Sequence, residues 1–232
     1  MAELHLFSAG AAQGLVTALI PRFFAETGME VRATFLPVGA LREKLVAGEA
    51  CDLLVSTHVM LEELALEDRI VADTVAMLGR VRTGIAVRMR DRAPAIQTRD
   101  ALRASLVAAP AIYVPDPARA TAGIHFLKVL RTLALDRELA PRLHAHPNGA
   151  AAMAALARSD QEGSIGCTQI TEIRITPGVK LVGPLAGTFE LATAYAVGLS
   201  AVAHESAHAR RLAEMLAGRE SAALRLQSGF EP

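Results

Sequence analysis

Short β-rich runs that alternate with amphipathic helical stretches constrain this chain more than any other feature of its sequence. Leu4–Phe7 reads as a strand, Gln13–Thr27 as a helix closed by Gly28, and Glu30–Phe35 as a second strand. Leu41–Gly48 then reads as a helix, Asp52–Ser56 as a third strand and Val59–Leu66 as another helix. This βαβαβα order predicts an α/β fold with a mostly parallel sheet, helices on both faces and right-handed crossovers. In such sheets ligands sit beyond the carboxyl ends of the strands, so the strand-to-helix junctions carry the functional information.

A second set follows: a strand at Thr83–Arg88, a helix at Ala101–Leu106, a strand at Ala111–Val114 and helices at Thr121–Ala134 and Ala150–Ala157. Ser164–Thr168 is a further strand, Phe189–Ser200 a long β segment and Ala203–Ala217 a helix that belongs on the first lobe. The chain therefore crosses twice between two lobes, near Arg80–Thr83 and Thr193–Ala196. The expected division is residues 1–82 with 195–232 as one lobe and 83–194 as the other. No internal repeat or low-complexity tract interrupts this order.

With 232 residues, 52% of them hydrophobic, the chain has the material for real cores. Lys plus Arg and Asp plus Glu each count 24, so no overall basic field exists to attract nucleic acid or an anionic membrane, and neither partner is expected. Nothing approaches the run of about 20 apolar residues that membrane insertion needs. The start has no basic region, apolar run and small-residue cleavage site in sequence, so the chain as written is expected to be cytoplasmic, or periplasmic where a leader has been removed. Cys51 and Cys167 stand far apart in apolar surroundings with no metal-ligand spacing, and free, buried thiols are expected. No motif for a cofactor or a metal is present.

The junction FSAGAAQGL, residues 7–15, brings Ser, Ala and Gly to a helix start. Exposed amides there, aligned with the helix dipole, make an anion cradle. Together with that opening, ATFLPVGALREKL, GEACDLLVST, DPARATAGIHFLKVL and SIGCTQITEI occur in register along the whole chain. In these junctions the sequence resembles the type II periplasmic-binding-protein fold, and within it the molybdate-binding-protein-like branch of ABC-transporter substrate-binding proteins. The resemblance implies two α/β lobes that hinge shut over a small anion, with an ABC permease as partner if the chain is exported. Members that bind molybdate hold it with serine hydroxyls, backbone N–H groups and a tyrosine. Aligned with them, the serine positions fall at Ala11 and Gly39, the backbone donor at Ala122 and the tyrosine at Gln169. Two missing charge-assisted hydroxyl bonds would forfeit about 1.5–3 kcal/mol each, which disfavours molybdate and leaves room for an organic acid.

The expected ligand contacts are Ser8, Ala9, Gly10 and Gly39 from one lobe, with Arg119, Thr121, Ala122, Asn148, Gly149 and Gln169 from the other. Arg119 stands before a helix start, where a guanidinium clamps a carboxylate or simply faces water. Thr121 reads as a cap or first-turn residue, Asp116 as the turn former of a D-P pair, and Asn148 as the cap of an alanine helix. Thr168 and Gln169 end a strand, and the family pattern turns them toward the ligand. His144 and His146 lack a third ligand for a metal, and His204 and His208 read as a solvated helix face. The alternative to a binding protein is an isomerase of a small di- or tricarboxylate, aconitate-isomerase-like, on the same scaffold. His125 is then the candidate base.

Overall fold

In a computed structural model, which describes residues 3–232, the chain forms two compact units. One comprises the described residues up to Val81 together with Thr193–Pro232, and the other is Arg82–Ala192. The first holds β1 (Glu3–Ala9), α1 (Gln13–Thr27), β2 (Glu30–Leu36), α2 (Val38–Val46), β3 (Leu53–Thr57) and α3 (His58–Leu66). Strand β4 (Ala76–Arg88) carries the chain into the second unit. There follow α4 (Arg99–Ala108), β5 (Ile112–Pro115), α5 (Thr121–Thr132), α6 (Asp136–Leu139) and β6 (Leu143–His146). The second unit is completed by α7 (Gly149–Arg158), β7 (Ile165–Gln169), α8 (Ile170–Arg174) and β8 (Val179–Pro184). Strand β9 (Ala192–Leu199) returns the chain to the first unit, which ends in α9 (Ser206–Ala217) and α10 (Ala222–Ser228).

In the first unit β1 lies between β2 and β3, parallel to both, and β9 runs antiparallel on β3. Helix α1 forms because Leu15, Val16, Leu19 and Phe23 recur at helical spacing and bury one face, and Gly28 ends it with a left-handed φ of 69°. Helices α9 and α10 pack on α1. Two starts differ from the sequence reading in a way that matters. Helix α2 begins at Val38 rather than Leu41, which places Gly39 in its first turn. Strand β4 is thirteen residues long and starts at Ala76. Its first half carries Gly79, Arg80 and Arg82 among the buried Leu78 and Val81, and these obscure its alternation.

In the second unit β7 lies between β4, antiparallel, and β5, parallel, while β6 pairs with the far side of β5 and β8 with β4. Because β5, β6 and β7 run the same way, the helices that leave them, α5, α7 and α8, start along one edge of the sheet. Strands β6 and β8 have no counterpart in the sequence reading; LHAH is too short and polar to signal a strand. Within this unit Arg88 and Asp91, both 3% exposed, form a bidentate pair with Nε and Nη2 each 2.7 Å from a carboxylate oxygen. Arg88 Nη1 also donates to the Ser159 carbonyl, and the Gly163 amide donates to Asp91. The Arg88 guanidinium holds the Asp91 carboxyl below the usual aspartate range. A depressed folded value means stability that is present above the ordinary range and lost as pH falls through the folded value. Asp91→Asn is therefore expected to cost stability at neutral pH, with the gap to the parent protein closing in acid, as chemical denaturation across pH will show.

Candidate functional site

The carboxyl ends of β1 and β2 are neighbours in register, Ala9 opposite Leu36, so two helix starts stand side by side in the first unit. After β1 the buried residues Gly10–Ala12 make one 3₁₀ turn that runs into α1, and Ala9, at its cap position, carries no side-chain cap. The buried Ser8 hydroxyl donates 3.1 Å to the Ala9 carbonyl, so its proton is committed within the strand. Beside it α2 follows Pro37, which cannot cap, and Gly39 is its second residue. The Gly10 amide completes the β1–β2 ladder on the Leu36 carbonyl, since Pro37 has no N–H to close it, and among the described residues none accepts from the amides of Ala11, Val38, Gly39 or Ala40. Helix α3, by contrast, is closed by Thr57, whose Oγ1 accepts from the Met60 amide.

The second unit repeats the pattern at α5. Asp116 Oδ1 accepts from the amides of Ala118, at 2.7 Å, and Arg119, at 3.2 Å, which builds the turn ahead of the helix. Arg119 is exposed there, Thr121 is the first helical residue, and the cap is Ala120, without a side-chain bond. Among the described residues nothing accepts from the amides of Thr121, Ala122 or Gly123, the last two of them buried. His125, on the next turn, lies with Nε2 2.8 Å from the Phe189 carbonyl. A carbonyl only accepts, so that nitrogen carries the hydrogen.

Helix α7 is different. Asn148 Oδ1 accepts from the Ala151 amide at 2.8 Å, and the amides of Gly149 and Ala150 donate to the carboxyl group of Glu172. The donors expected for a ligand at Asn148 and Gly149 are thus engaged within the unit. Thr168, expected to face the ligand, donates its hydroxyl to Glu172 Oε2 at 2.5 Å. Gln169 is buried at the end of β7, opposite Thr83 of β4. Burial pushes the Glu172 carboxyl up, against the Thr168 hydroxyl and the amides of Gly149, Gln169 and Ala150, which pull it down. Nothing in the sequence marks Glu172, because its partners lie on two other elements.

Three further hydroxyls escape a sequence reading. Thr83, Thr171 and Thr193 Oγ1 are buried, and among the described residues they have no hydrogen-bond partner. Such groups are rare in folded proteins, because losing water without a replacement bond is costly. Cys51 and Cys167 are free and buried, as expected; burial pushes the Cys51 thiol up to about 12 and Cys167 up as well. Both stay protonated at neutral pH and unreactive. His144 and His146 stack on Tyr113, with ring centroids 5.0 and 5.9 Å away. Among the described residues no three His, Cys, Asp or Glu side chains gather as a metal site would require.

Two α/β units joined by two strands, with unclosed helix starts on the carboxyl edge of each sheet, define the two-lobed binding-protein fold. The sequence pattern of the bacterial extracellular solute-binding proteins matches residues 4–231, and the chain belongs to that family. The structure is similar to the periplasmic molybdate-binding protein of Azotobacter vinelandii, with a TM-score of 0.82 at 16% identity over 99% of both chains. It is also similar to the sulfate-binding protein SubI of Mycobacterium tuberculosis H37Rv, with a TM-score of 0.75 at 14% identity over 100% of this chain and 87% of that one. In sequence it is similar to the aconitate isomerase of a Pseudomonas species, 25% identical over 238 residues, covering 99% of this chain and 87% of the relative.

Proposed function

We propose that this chain is a solute-binding protein whose cargo is a small organic anion of the carboxylate class, taken up at unclosed helix starts. One observation carries the reading: three helix starts, at α1, α2 and α5, present amides that no group among the described residues accepts from, three of those amides on buried residues. Buried backbone N–H groups are almost always paired, and the dipoles of these helices favour a negative partner. The helix-start hydroxyls that suit a tetrahedral oxyanion are replaced by Ala11 and Gly39, while Arg119 adds a guanidinium whose fork matches a carboxylate. The relative that acts on aconitate supports a carboxylate, and the molybdate- and sulfate-binding neighbours support an anion. An exported chain would deliver this cargo to an ABC permease.

Calorimetric titration with citrate, cis-aconitate, sulfate and molybdate tests the class, with native mass spectrometry to identify any anion retained on purification. Tight binding of molybdate with no response to carboxylates would overturn the choice of cargo. Arg119→Ala is expected to weaken carboxylate binding by about 1.5–3 kcal/mol. Thr83→Val removes a hydroxyl that nothing among the described residues pairs. It is expected to leave the unliganded protein as stable, or more stable by up to about 1 kcal/mol, and to weaken binding by about 1 kcal/mol where that hydroxyl meets the cargo.

The aconitate isomerase relative also favours a second reading, proton-transfer isomerisation of a tricarboxylate on the same site. His125 then acts as base through Nδ1, since Nε2–H is held by the Phe189 carbonyl. Appearance of trans-aconitate from cis-aconitate, lost in His125→Gln, is the result this reading requires. Binding without conversion removes it.

A further inference from the structure

Four donors converge on a single side-chain carboxyl group in the second unit. The Thr168 hydroxyl reaches Glu172 Oε2 at 2.5 Å, and the amides of Gly149, Ala150 and Gln169 also donate to this group. With Ala151 bonded to Asn148 and Ala152 to the Asn148 carbonyl, every amide of the first turn of α7 has a partner. The fit is close enough that a Cβ at position 149 would coincide with the Glu172 carboxyl and the Thr168 hydroxyl, so only glycine is admitted. This is the arrangement by which a helix start holds an external carboxylate, except that the carboxyl belongs to the chain. Among the described residues helix α5, on the same edge of the sheet, has no such partner.

We infer that Glu172 is a resident ligand of the α7 start and a specificity-determining residue, which closes that helix to cargo and leaves α5 to receive the anion in the second unit. The consequence for cargo rests on the anion-binding reading above; the closure of α7 does not. A molecule that needs amides from both helices, as a compact oxyanion with acceptors on every side does, finds one of them taken. A carboxylate needs fewer donors.

Glu172→Ala opens a cavity with the same four donors, and formate is the probe that fits it. In this variant formate, compared with equal chloride, is expected to raise the unfolding midpoint saturably, by about 3–6 °C at tenfold over its dissociation constant. The parent protein and Glu172→Gln, in which the place is filled, are expected to show no such rise. If Glu172→Ala does not fold in chloride, recovery of folded protein only on refolding in formate reads the same occupancy. An equal response of all three proteins to formate, or no recovery and no shift in Glu172→Ala, would overturn the inference. Citrate and cis-aconitate titrations of the parent protein separate the two claims. Their failure removes the proposed cargo and leaves the formate result readable, whereas failed rescue with carboxylate binding intact removes only the closure of α7.

Discussion

Asp52→Ala is expected to destabilise the first unit by about 3–5 kcal/mol, a fall in its unfolding midpoint of about 10–20 °C. Asp52 is 3% exposed and sits just before β3. Its Oδ2 accepts from the His5 amide at 2.7 Å, and its Oδ1 from the amides of His204 and Glu205 at 2.8 and 3.0 Å. Its backbone is used as well, the amide donating to the His5 carbonyl and the carbonyl accepting from Ser200. One residue therefore fastens the returning segment, whose helix α9 packs on α1, to the strand where the chain begins. Charge-assisted bonds contribute about 1.5–3 kcal/mol each, and water regained by amides near the surface reduces the sum. Asp52→Asn keeps an acceptor for one side only and should cost about half as much. If Asp52→Ala unfolds at the parent midpoint, the surface ion pairs of Arg22, Glu26, Arg211 and Glu220 hold that segment instead.

What the sequence makes legible follows from how far apart the interacting groups lie. The periodicity of Leu15, Val16, Leu19 and Phe23, and the small residues before them, are local, so α1 and its unusual start can be read directly. The same holds for the α5 start, where Asp116 bonds residues two and three positions on. Asp52 reads only as the entry to a strand, because its amide partners at 204 and 205 lie about 150 residues away. Glu172 is silent for the same reason. Its neighbours in TQITEI suggest a short amphipathic turn, and nothing there says that a helix start 23 positions earlier will be set against it. Asn148 as a cap and Gly149 as bare backbone look like a cradle, and they are one. The carboxyl that lies in it comes from the next strand-to-helix junction. The threonine hydroxyls that find no partner among the described residues show the opposite failure: those at positions 83, 171 and 193 resemble ordinary strand or helix residues until their burial is known.

Glu172→Leu should lower the stability of the second unit by about 3–5 kcal/mol, because it keeps the volume while stranding the Thr168 hydroxyl and three amides. The carboxyl itself is under two opposed influences. Burial favours its neutral form and raises it, whereas four donors favour the ionised form and lower it, and burial is the larger. A carboxyl with a raised folded value contributes stability that is complete below the ordinary glutamate range and is lost as pH rises through the folded value. Each unit by which the folded value exceeds the ordinary one costs about 1.4 kcal/mol at higher pH. Glu172→Gln resembles the neutral form and does not titrate, so its stability relative to the parent should improve steadily from acid toward alkaline pH, as urea denaturation of both proteins across that range will show. Parallel curves would mean that the four donors hold the folded value at the ordinary one. An advantage of the parent over Glu172→Gln that grows from acid toward alkaline pH would mean that the donors outweigh burial and lower the folded value.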